Sequence, residues 1–140
     1  MSTLASPEQL AAGRAAPPID VYDTTLRDGA QQEGMNLSVA DKMAIAPLLD
    51  ELGVKYIEGG WPGAIPRDTE FFARAAKELE LHTARLVAFG STTKAGVPAA
   101  EDGQVQALLA SEAPVITLVA KSDFRHVERA LRTTPEENLR

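Results

Sequence analysis

The sequence contains no cysteine and only two histidines, His82 and His126, which stand far apart in the chain. The absence of cysteine excludes disulfide bonds and zinc sites built on thiolates. No apolar run approaches the roughly 20 residues that a membrane-spanning helix needs. The net charge of −6 argues against binding of a nucleic-acid backbone, which requires basic patches. Neither a membrane nor a nucleic acid is therefore expected as a partner.

Residues 1–18 are rich in alanine, proline, serine and glycine, and they lack the basic start and apolar segment of a secretory signal. This composition predicts a disordered N-terminal extension, and the missing export signal predicts a cytoplasmic protein. Residues 19–140 are numerous enough to form one domain with a hydrophobic core.

Strand-like and helix-like segments alternate along residues 19–140 with a spacing of about 30 to 35 residues, the length of one βα unit. Strands are predicted at 19–23, 54–58, 85–89 and 115–120, and the last is apolar enough to be buried on both faces. Helices are predicted at 39–52, 66–79, 101–110 and 124–131, and another begins at Thr134. This alternation predicts an α/β fold with a parallel sheet, either an open doubly wound sheet or part of an eight-stranded barrel.

Capping residues support the helix boundaries. Ser38 and Asp41 form a capping-box pattern, and Gly53 is a helix stop. Pro47 falls inside the first helix, where it removes one backbone hydrogen bond and costs roughly 3 kcal/mol. Two interpretations of Pro47 stay open: a kinked helix, or a truncated gene product under relaxed constraint.

Polar residues cluster after each predicted strand, at the end where parallel α/β proteins bind their ligands. Arg27 and Asp28 follow the first strand directly. A carboxylate can hold a divalent cation, and an adjacent guanidinium can hold an anionic oxygen. Such a pair suits an α-keto acid, although an isolated Arg-Asp pair is more often a salt bridge or a loop cap.

The segment around this pair resembles a known signature. Residues 26–31 read Leu-Arg-Asp-Gly-Ala-Gln, and Lys42 follows after ten more residues. This order is similar to the first signature of the 2-isopropylmalate, homocitrate and citramalate synthase family, and it satisfies every position. The resemblance continues through residues 57–63, 88–92 and 130–134. Residues 59–63 and 89–92 are most similar to the citramalate synthase branch.

The resemblance implies the N-terminal half, about four βα units, of a (β/α)8 TIM barrel. Members of the family condense the acetyl group of acetyl-CoA with an α-keto acid in branched-chain amino-acid biosynthesis. One example is the condensation with pyruvate, which gives citramalate. Asp28 would be a ligand of a divalent metal, Mg²⁺ or Mn²⁺. Arg27 would contact the keto-acid oxygens and stabilise the charge that develops on the carbonyl. Gln31 would hydrogen-bond in the same site, and Glu58 would orient Arg27, line the site or form a purely structural ion pair.

The family also uses a His-x-His metal-binding pair and a carboxylate base, which the resemblance places beyond residue 140. The chain alone is therefore expected to be inactive, and the full-length protein is expected to be a homo-oligomer. His82 is predicted to lie on the surface, and Lys42 on the surface or in a helix contact. His126 is predicted to lie on the short helix after the fourth strand, with a substrate-side role as the alternative. Two alternatives stay open: an acyl-CoA lyase or carboxyltransferase of the same barrel superfamily, or a non-catalytic truncated product.

Overall fold

The computed structural model describes residues 19–139, so the predicted extension at 1–18 lies outside the described residues. The strands are β1 (Tyr22–Asp23), β2 (Tyr56–Gly60), β3 (Arg85–Ser91) and β4 (Val115–Val119). The main helices are α1 (Val39–Glu51), α2 (Pro66–Glu78) and α3 (Gly103–Ala110). After β4 come a short helix α4 (Phe124–His126), a π-helical turn (Val127–Leu131) and α5 (Pro135–Asn138). The four strands are parallel and lie side by side in chain order, which confirms the predicted α/β alternation.

The predicted start and stop signals of α1 are confirmed. The Ser38 side chain accepts from the Asp41 backbone, and the Asp41 side chain accepts from the Ser38 backbone. Gly53 has a φ of 86° just after the helix, a conformation that glycine adopts without strain. The helix continues through Pro47 to Glu51. Among residues 19–139, no helix is long and apolar enough to cross a membrane.

The two outer strands differ from their predicted form. Only two residues of β1 belong to the ladder, although the Val21 carbonyl already accepts from the backbone N–H groups of Lys55 and Tyr56. The prediction that β4 is buried on both faces is wrong, because Leu118 is 52% exposed. The reason is that β4 is an edge of the sheet among the described residues, with β3 as its one strand neighbour.

One hydrogen bond shows that the sheet is strongly curved. The Tyr22 hydroxyl lies 2.7 Å from Thr117 Oγ1, although β2 and β3 separate their strands. In a flat sheet, three strand spacings would place β1 and β4 about 14 Å apart. The side chains therefore meet across the concave face. Curvature of this kind favours the barrel over the open sheet.

The helices cover the convex face, where the apolar core lies. Side chains alternate across each strand, so Ile57, Leu86 and Ala88 point towards the helices while their sequence neighbours point to the concave side. The core includes Phe71 and Phe72 of α2, both almost fully buried. The concave face is thus left to the intervening residues of each strand.

Lys42 is buried, so the expectation of a surface lysine is wrong and the helix-contact alternative is correct. Only 1% of the residue is exposed. Its ammonium donates to Asp68 Oδ1 of α2 at 2.5 Å and to the Gly59 carbonyl at 2.9 Å. The β2–β3 register shifts between Glu58 and Gly60, and such a bulge takes one residue out of the ladder. Lys42 therefore supplies a donor to the Gly59 carbonyl at this irregularity.

We expect Lys42→Met to lower the free energy of unfolding by about 3 kcal/mol, because it leaves the Asp68 carboxylate buried without its cation. Lys77→Met is the matched control, since Lys77 is exposed on α2, and should change stability by less than about 0.5 kcal/mol. Urea titration of both variants measures the difference. Equal stability of the two variants would contradict the role given to Lys42.

Asp50 joins the end of α1 to the start of β3. Its carboxylate accepts the backbone N–H groups of His82, Thr83 and Ala84 at 2.8, 2.7 and 2.5 Å. Burial alone would raise the pKa of Asp50, but the three N–H donors outweigh it and hold the pKa below its ordinary value. The ionised form is therefore the one that stabilises the fold.

We expect Asp50→Asn to lower the free energy of unfolding by roughly 2 kcal/mol at neutral pH, because the amide keeps one acceptor oxygen where the carboxylate has two. The stabilisation by Asp50 is fully present above the unfolded-state pKa of about 3.9 and is lost as the pH falls through the lower folded-state pKa. The gap between parent and variant should therefore shrink in acid. Urea titrations at pH 7 and pH 3 measure this, with exposed Glu51→Gln as control. A gap that does not change with pH would contradict the assignment.

Candidate active site

The turn after β1 sets the direction of the Arg27 side chain. The Thr24 carbonyl accepts from the backbone N–H groups of Arg27 at 3.1 Å and Gly29 at 3.0 Å. The Asp23 carboxylate accepts from both the backbone and the hydroxyl of Thr25 at 2.9 Å. Leu26 is fully buried in the core. The adjacent Arg27 side chain instead contacts Glu58 and Phe89 on the concave face.

Three neighbours fix the Arg27 guanidinium at the carboxyl end of the sheet. Its Nε donates to Glu58 Oε1 at 2.5 Å, and its Nη1 donates to Asp28 Oδ1 at 2.9 Å. The guanidinium carbon lies 4.0 Å from the centroid of the Phe89 ring, a cation–π contact. Residues after β1 and on β2 and β3 therefore hold one cation together.

The guanidinium keeps free hydrogen-bonding capacity. Two of its five N–H groups are used, and the others, including both on Nη2, have no protein acceptor among residues 19–139. The side chain is 16% exposed, so a small anion can reach it. A planar fork of this kind matches the two oxygens of a carboxylate or of an α-keto acid.

Asp28 suits a divalent metal as a single ligand. Its side chain is 63% exposed. Oδ1 accepts from Arg27, and Oδ2 has no partner within residues 19–139. A carboxylate oxygen is the donor type that Mg²⁺ and Mn²⁺ prefer. No group of three histidine, cysteine or acidic side chains that could hold a metal occurs in the described part of the chain. A divalent metal at Asp28 would therefore need further ligands, and the metal-binding role of Asp28 stays a prediction.

The predicted site residues are only partly brought together. Arg27 is in direct contact with both Asp28 and Glu58. Gln31 lies in the 3-10 turn Gly29–Gln31, exposed, and within residues 19–139 its side chain makes no hydrogen bond. Its backbone N–H donates to the Asp28 carbonyl at 3.0 Å. The substrate contacts of Gln31 and Glu58 stay predictions. The two histidines, His82 and His126, are both exposed.

The sequence predicts a site role for Glu58 but not for the residues that contact it and Arg27, among them Tyr22 and Phe89. Glu58 is 2% exposed, and its Oε2 accepts from the Tyr22 hydroxyl at 2.6 Å. Burial first, and then the hydrogen bond to Glu58, raise the pKa of Tyr22 to about 12. Tyr22 therefore keeps its proton at neutral pH. Alternation along each strand predicts that Glu58 and Phe89 share a face with Tyr22, but it does not predict the contact from β1 to β4.

Trp61 packs against the Phe89 ring. The two rings meet edge to face with centroids 5.1 Å apart. The indole N–H donates to Gln104 Oε1 at 2.7 Å, and the Trp61 backbone N–H donates to Asp68 Oδ2 at 2.8 Å. Asp68 is the same carboxylate that pairs with Lys42. The ion pair on the convex side is therefore connected to the ring beneath Arg27.

The profile of the HMGL-like family matches residues 18–140, almost the whole chain. The chain belongs to the HMGL-like family. It is 71% identical over 119 residues to an (R)-citramalate synthase of Streptomyces coelicolor and 50% identical over 124 residues to one of Aquifex aeolicus. It is 34% identical over 123 residues to a 2-isopropylmalate synthase of Stenotrophomonas maltophilia. The predicted resemblance to this group of synthases is thus confirmed.

These alignments cover 85%, 89% and 88% of the chain but only 22%, 23% and 22% of the relatives. The chain therefore spans less than a quarter of the length of the relatives it matches. The crystal structure of hydroxymethylglutaryl-CoA lyase from Pseudomonas aeruginosa has a TM-score of 0.62 and 22% identity, covering 86% of this chain and 38% of that chain. This likeness confirms the predicted fold, a segment of a TIM barrel.

We expect this chain to bind Mn²⁺ weakly, with a dissociation constant on the order of 1 mM or above, because one carboxylate leaves most of a six-coordinate shell to water. Asp28→Asn should abolish the binding. Glu33→Gln, which changes an exposed carboxylate five residues away, should leave it unchanged. Isothermal titration calorimetry measures all three. Micromolar binding that survives Asp28→Asn would show that the metal ligand has been misplaced.

Proposed function

We propose that this chain supplies the keto-acid-binding part of an active site that condenses acetyl-CoA with an α-keto acid. The proposed substrate is pyruvate and the product is citramalate. The observation that supports this most directly is the Arg27 guanidinium, which Glu58 and Phe89 hold in place while its remaining N–H groups stay open. Such a cation can bind the carboxylate of a keto acid through two oxygens.

Charge development explains the value of a fixed arginine. A base first removes a proton from the methyl group of acetyl-CoA, and the resulting enolate carbon attacks the keto carbon, so that the keto oxygen becomes an alkoxide. Protonation of this alkoxide and hydrolysis of the thioester by water then give citramalate and free CoA. An oriented guanidinium stabilises the charge on the keto oxygen more in the transition state than in the ground state. A divalent metal, Mg²⁺ or Mn²⁺, held by Asp28 and further ligands, would polarise the keto group as a Lewis acid. We assign neither the base nor the other metal ligands to residues 19–139.

The similarity to citramalate synthases favours this reaction over the lyase and carboxyltransferase alternatives. Identity to these synthases reaches 71%, and the 2-isopropylmalate synthases follow at about half that value. The lyase of known structure is 22% identical and supports the fold alone.

Several expectations belong to this proposal. Residues 19–140 would form part of the catalytic domain, and residues 1–18 would form an extension. Gln31 would hydrogen-bond in the keto-acid site. The complete enzyme would be a cytoplasmic homo-oligomer in isoleucine or leucine biosynthesis.

We expect Arg27→Lys to lower kcat/KM for pyruvate by about 100-fold or more in the complete gene product that contains this segment. Lysine keeps the charge but loses the planar fork, and removal of one donor to a developing oxyanion costs about this much. Release of CoA from acetyl-CoA with and without pyruvate is the assay. Arg74→Lys is the matched control, because Arg74 lies on the exposed side of α2 and pairs with Glu78.

The possible outcomes test the role of Arg27, the identity of the substrate and the proposed reaction separately. Near-normal kcat/KM for Arg27→Lys would show that Arg27 is peripheral. A parent enzyme that releases CoA with another α-keto acid and not with pyruvate would reassign the substrate. A parent enzyme without any keto-acid-dependent CoA release would refute the proposed reaction.

A further inference from the structure

We infer that Tyr22 and Thr117 are positioning residues, which hold Glu58, and through it Arg27, in the orientation that binds the keto acid. The inference rests on the proposed function, since it explains how the proposed substrate-binding arginine is kept in place. It concerns two residues that lie outside the signature of residues 26–31.

The direction of each hydrogen bond follows from the chemistry of the groups. An ionised carboxylate only accepts, so the Tyr22 hydroxyl donates its single proton to Glu58 Oε2 at 2.6 Å. The Tyr22 oxygen must then accept from Thr117 Oγ1, which lies 2.7 Å away. The result is an ordered chain from the Thr117 hydroxyl to Tyr22 and on to Glu58. The raised pKa of Tyr22 is consistent with a tyrosine that stays protonated in this chain.

Hydrogen bonds hold Glu58 at both of its carboxylate oxygens. Oε2 receives the Tyr22 proton, and Oε1 receives the Nε–H of Arg27. Glu58 is 2% exposed, so water cannot easily replace either donor. If the Tyr22 hydroxyl is removed, one buried carboxylate oxygen loses its donor and the carboxylate is free to turn. Arg27 then loses the fixed partner that sets the plane of its guanidinium.

The hydrogen bond between Tyr22 and Thr117 also joins the two outer strands of the curved sheet. Tyr22 lies on β1 and Thr117 lies on β4, and their hydroxyl groups meet across the concave face. The distance between these strands therefore affects the orientation of Glu58. Thr117 is half-buried and carries one methyl and one hydroxyl group. Valine has nearly the same shape but lacks the hydroxyl group that donates to Tyr22.

The structure offers a matched control. Tyr56 lies beside Tyr22 on the neighbouring strand β2, with ring centroids 6.1 Å apart. Within residues 19–139, its hydroxyl has no hydrogen-bond partner. Tyr56→Phe thus removes the same atom as Tyr22→Phe from an adjacent ring on the same face. Thr117→Val removes the hydroxyl group and keeps the shape of the side chain, whereas Thr117→Ser keeps the hydroxyl group and removes the methyl group.

The experiment measures kcat, the KM for pyruvate, the KM for acetyl-CoA and the melting temperature of the complete gene product. We expect Tyr22→Phe and Thr117→Val to lower kcat/KM for pyruvate, by about tenfold for Tyr22→Phe, which removes a hydrogen bond to a charged group. The KM for acetyl-CoA should change less than twofold. Tyr56→Phe should match the parent, and Thr117→Ser, which keeps the hydroxyl group, should restore the activity that Thr117→Val loses. In the Arg27→Lys background, Tyr22→Phe should have almost no further effect, because it acts through Arg27.

Equal behaviour of Tyr22→Phe and Tyr56→Phe in an active parent would overturn the inference and leave the proposed function standing. A tenfold loss that persists in the Arg27→Lys background would also overturn it, because the effect would not pass through Arg27. If Tyr22→Phe does not fold, the Thr117 pair decides, and equal activity of Thr117→Val and Thr117→Ser counts against the inference. A parent without pyruvate-dependent CoA release would overturn both the function and the inference.

Discussion

The contact between the Arg27 guanidinium and the Glu58 carboxylate is the interaction on which the candidate site depends. Glu58 is almost fully buried, and Arg27 is only slightly exposed. A buried carboxylate without a cation or hydrogen-bond donors is strongly destabilising. The pair is therefore stable only if β1 and β2 hold the two residues in register. The parallel pairing of Tyr22 with Tyr56 and of Asp23 with Ile57 provides that register. The strand register that keeps this buried pair stable thus also places the guanidinium of Arg27, with its free N–H groups, at the end of the sheet.

A second ion pair supports this site from the opposite face of the sheet. Lys42 and Asp68 join α1 to α2, and Asp68 also accepts the backbone N–H of Trp61. Gly60 has a φ of 155°, and a Cβ at this position would lie 2.4 Å from Asp68. The close approach of Asp68 therefore requires glycine, and it fixes the start of the loop that carries Trp61. Because the Trp61 ring packs on Phe89 and Phe89 packs on Arg27, two layers of side chains limit how far the guanidinium can move.

The features that the sequence predicted are local ones. Strand and helix order, the Ser38 capping box and the adjacency of Arg27 and Asp28 depend on neighbours within about one turn, so the sequence pattern contains them. The sequence prediction left Lys42 open between the surface and a helix contact, although its spacing could have decided this. Val39, Lys42, Ala46 and Asp50 follow one another at helical spacing, and all four are buried. The contact between Tyr22 and Thr117 joins residues 95 positions apart and depends on the curvature of the sheet. No pairwise pattern in a single sequence indicates that distance, and for the same reason the exposure of β4 was not predicted.

Arg27 and Asp28 are adjacent in sequence but differ in exposure, at 16% and 63% of the side chain, and the roles proposed for them would account for this difference. An arginine that stabilises a developing negative charge must be oriented before the reaction, since reorganisation of the group during the reaction would reduce its effect. Arg27 is held by a carboxylate, by an aromatic ring and indirectly by a tyrosine, as its proposed role would require. In the proposed site, a metal bound by Asp28 would itself orient the carboxylate, which would account for the 63% exposure of this side chain. The contact between Arg27 Nη1 and Asp28 Oδ1 leaves Oδ2 open. In the proposed reaction, Asp28 would bind the cation, and the preceding residue, Arg27, would bind the anion that this cation polarises.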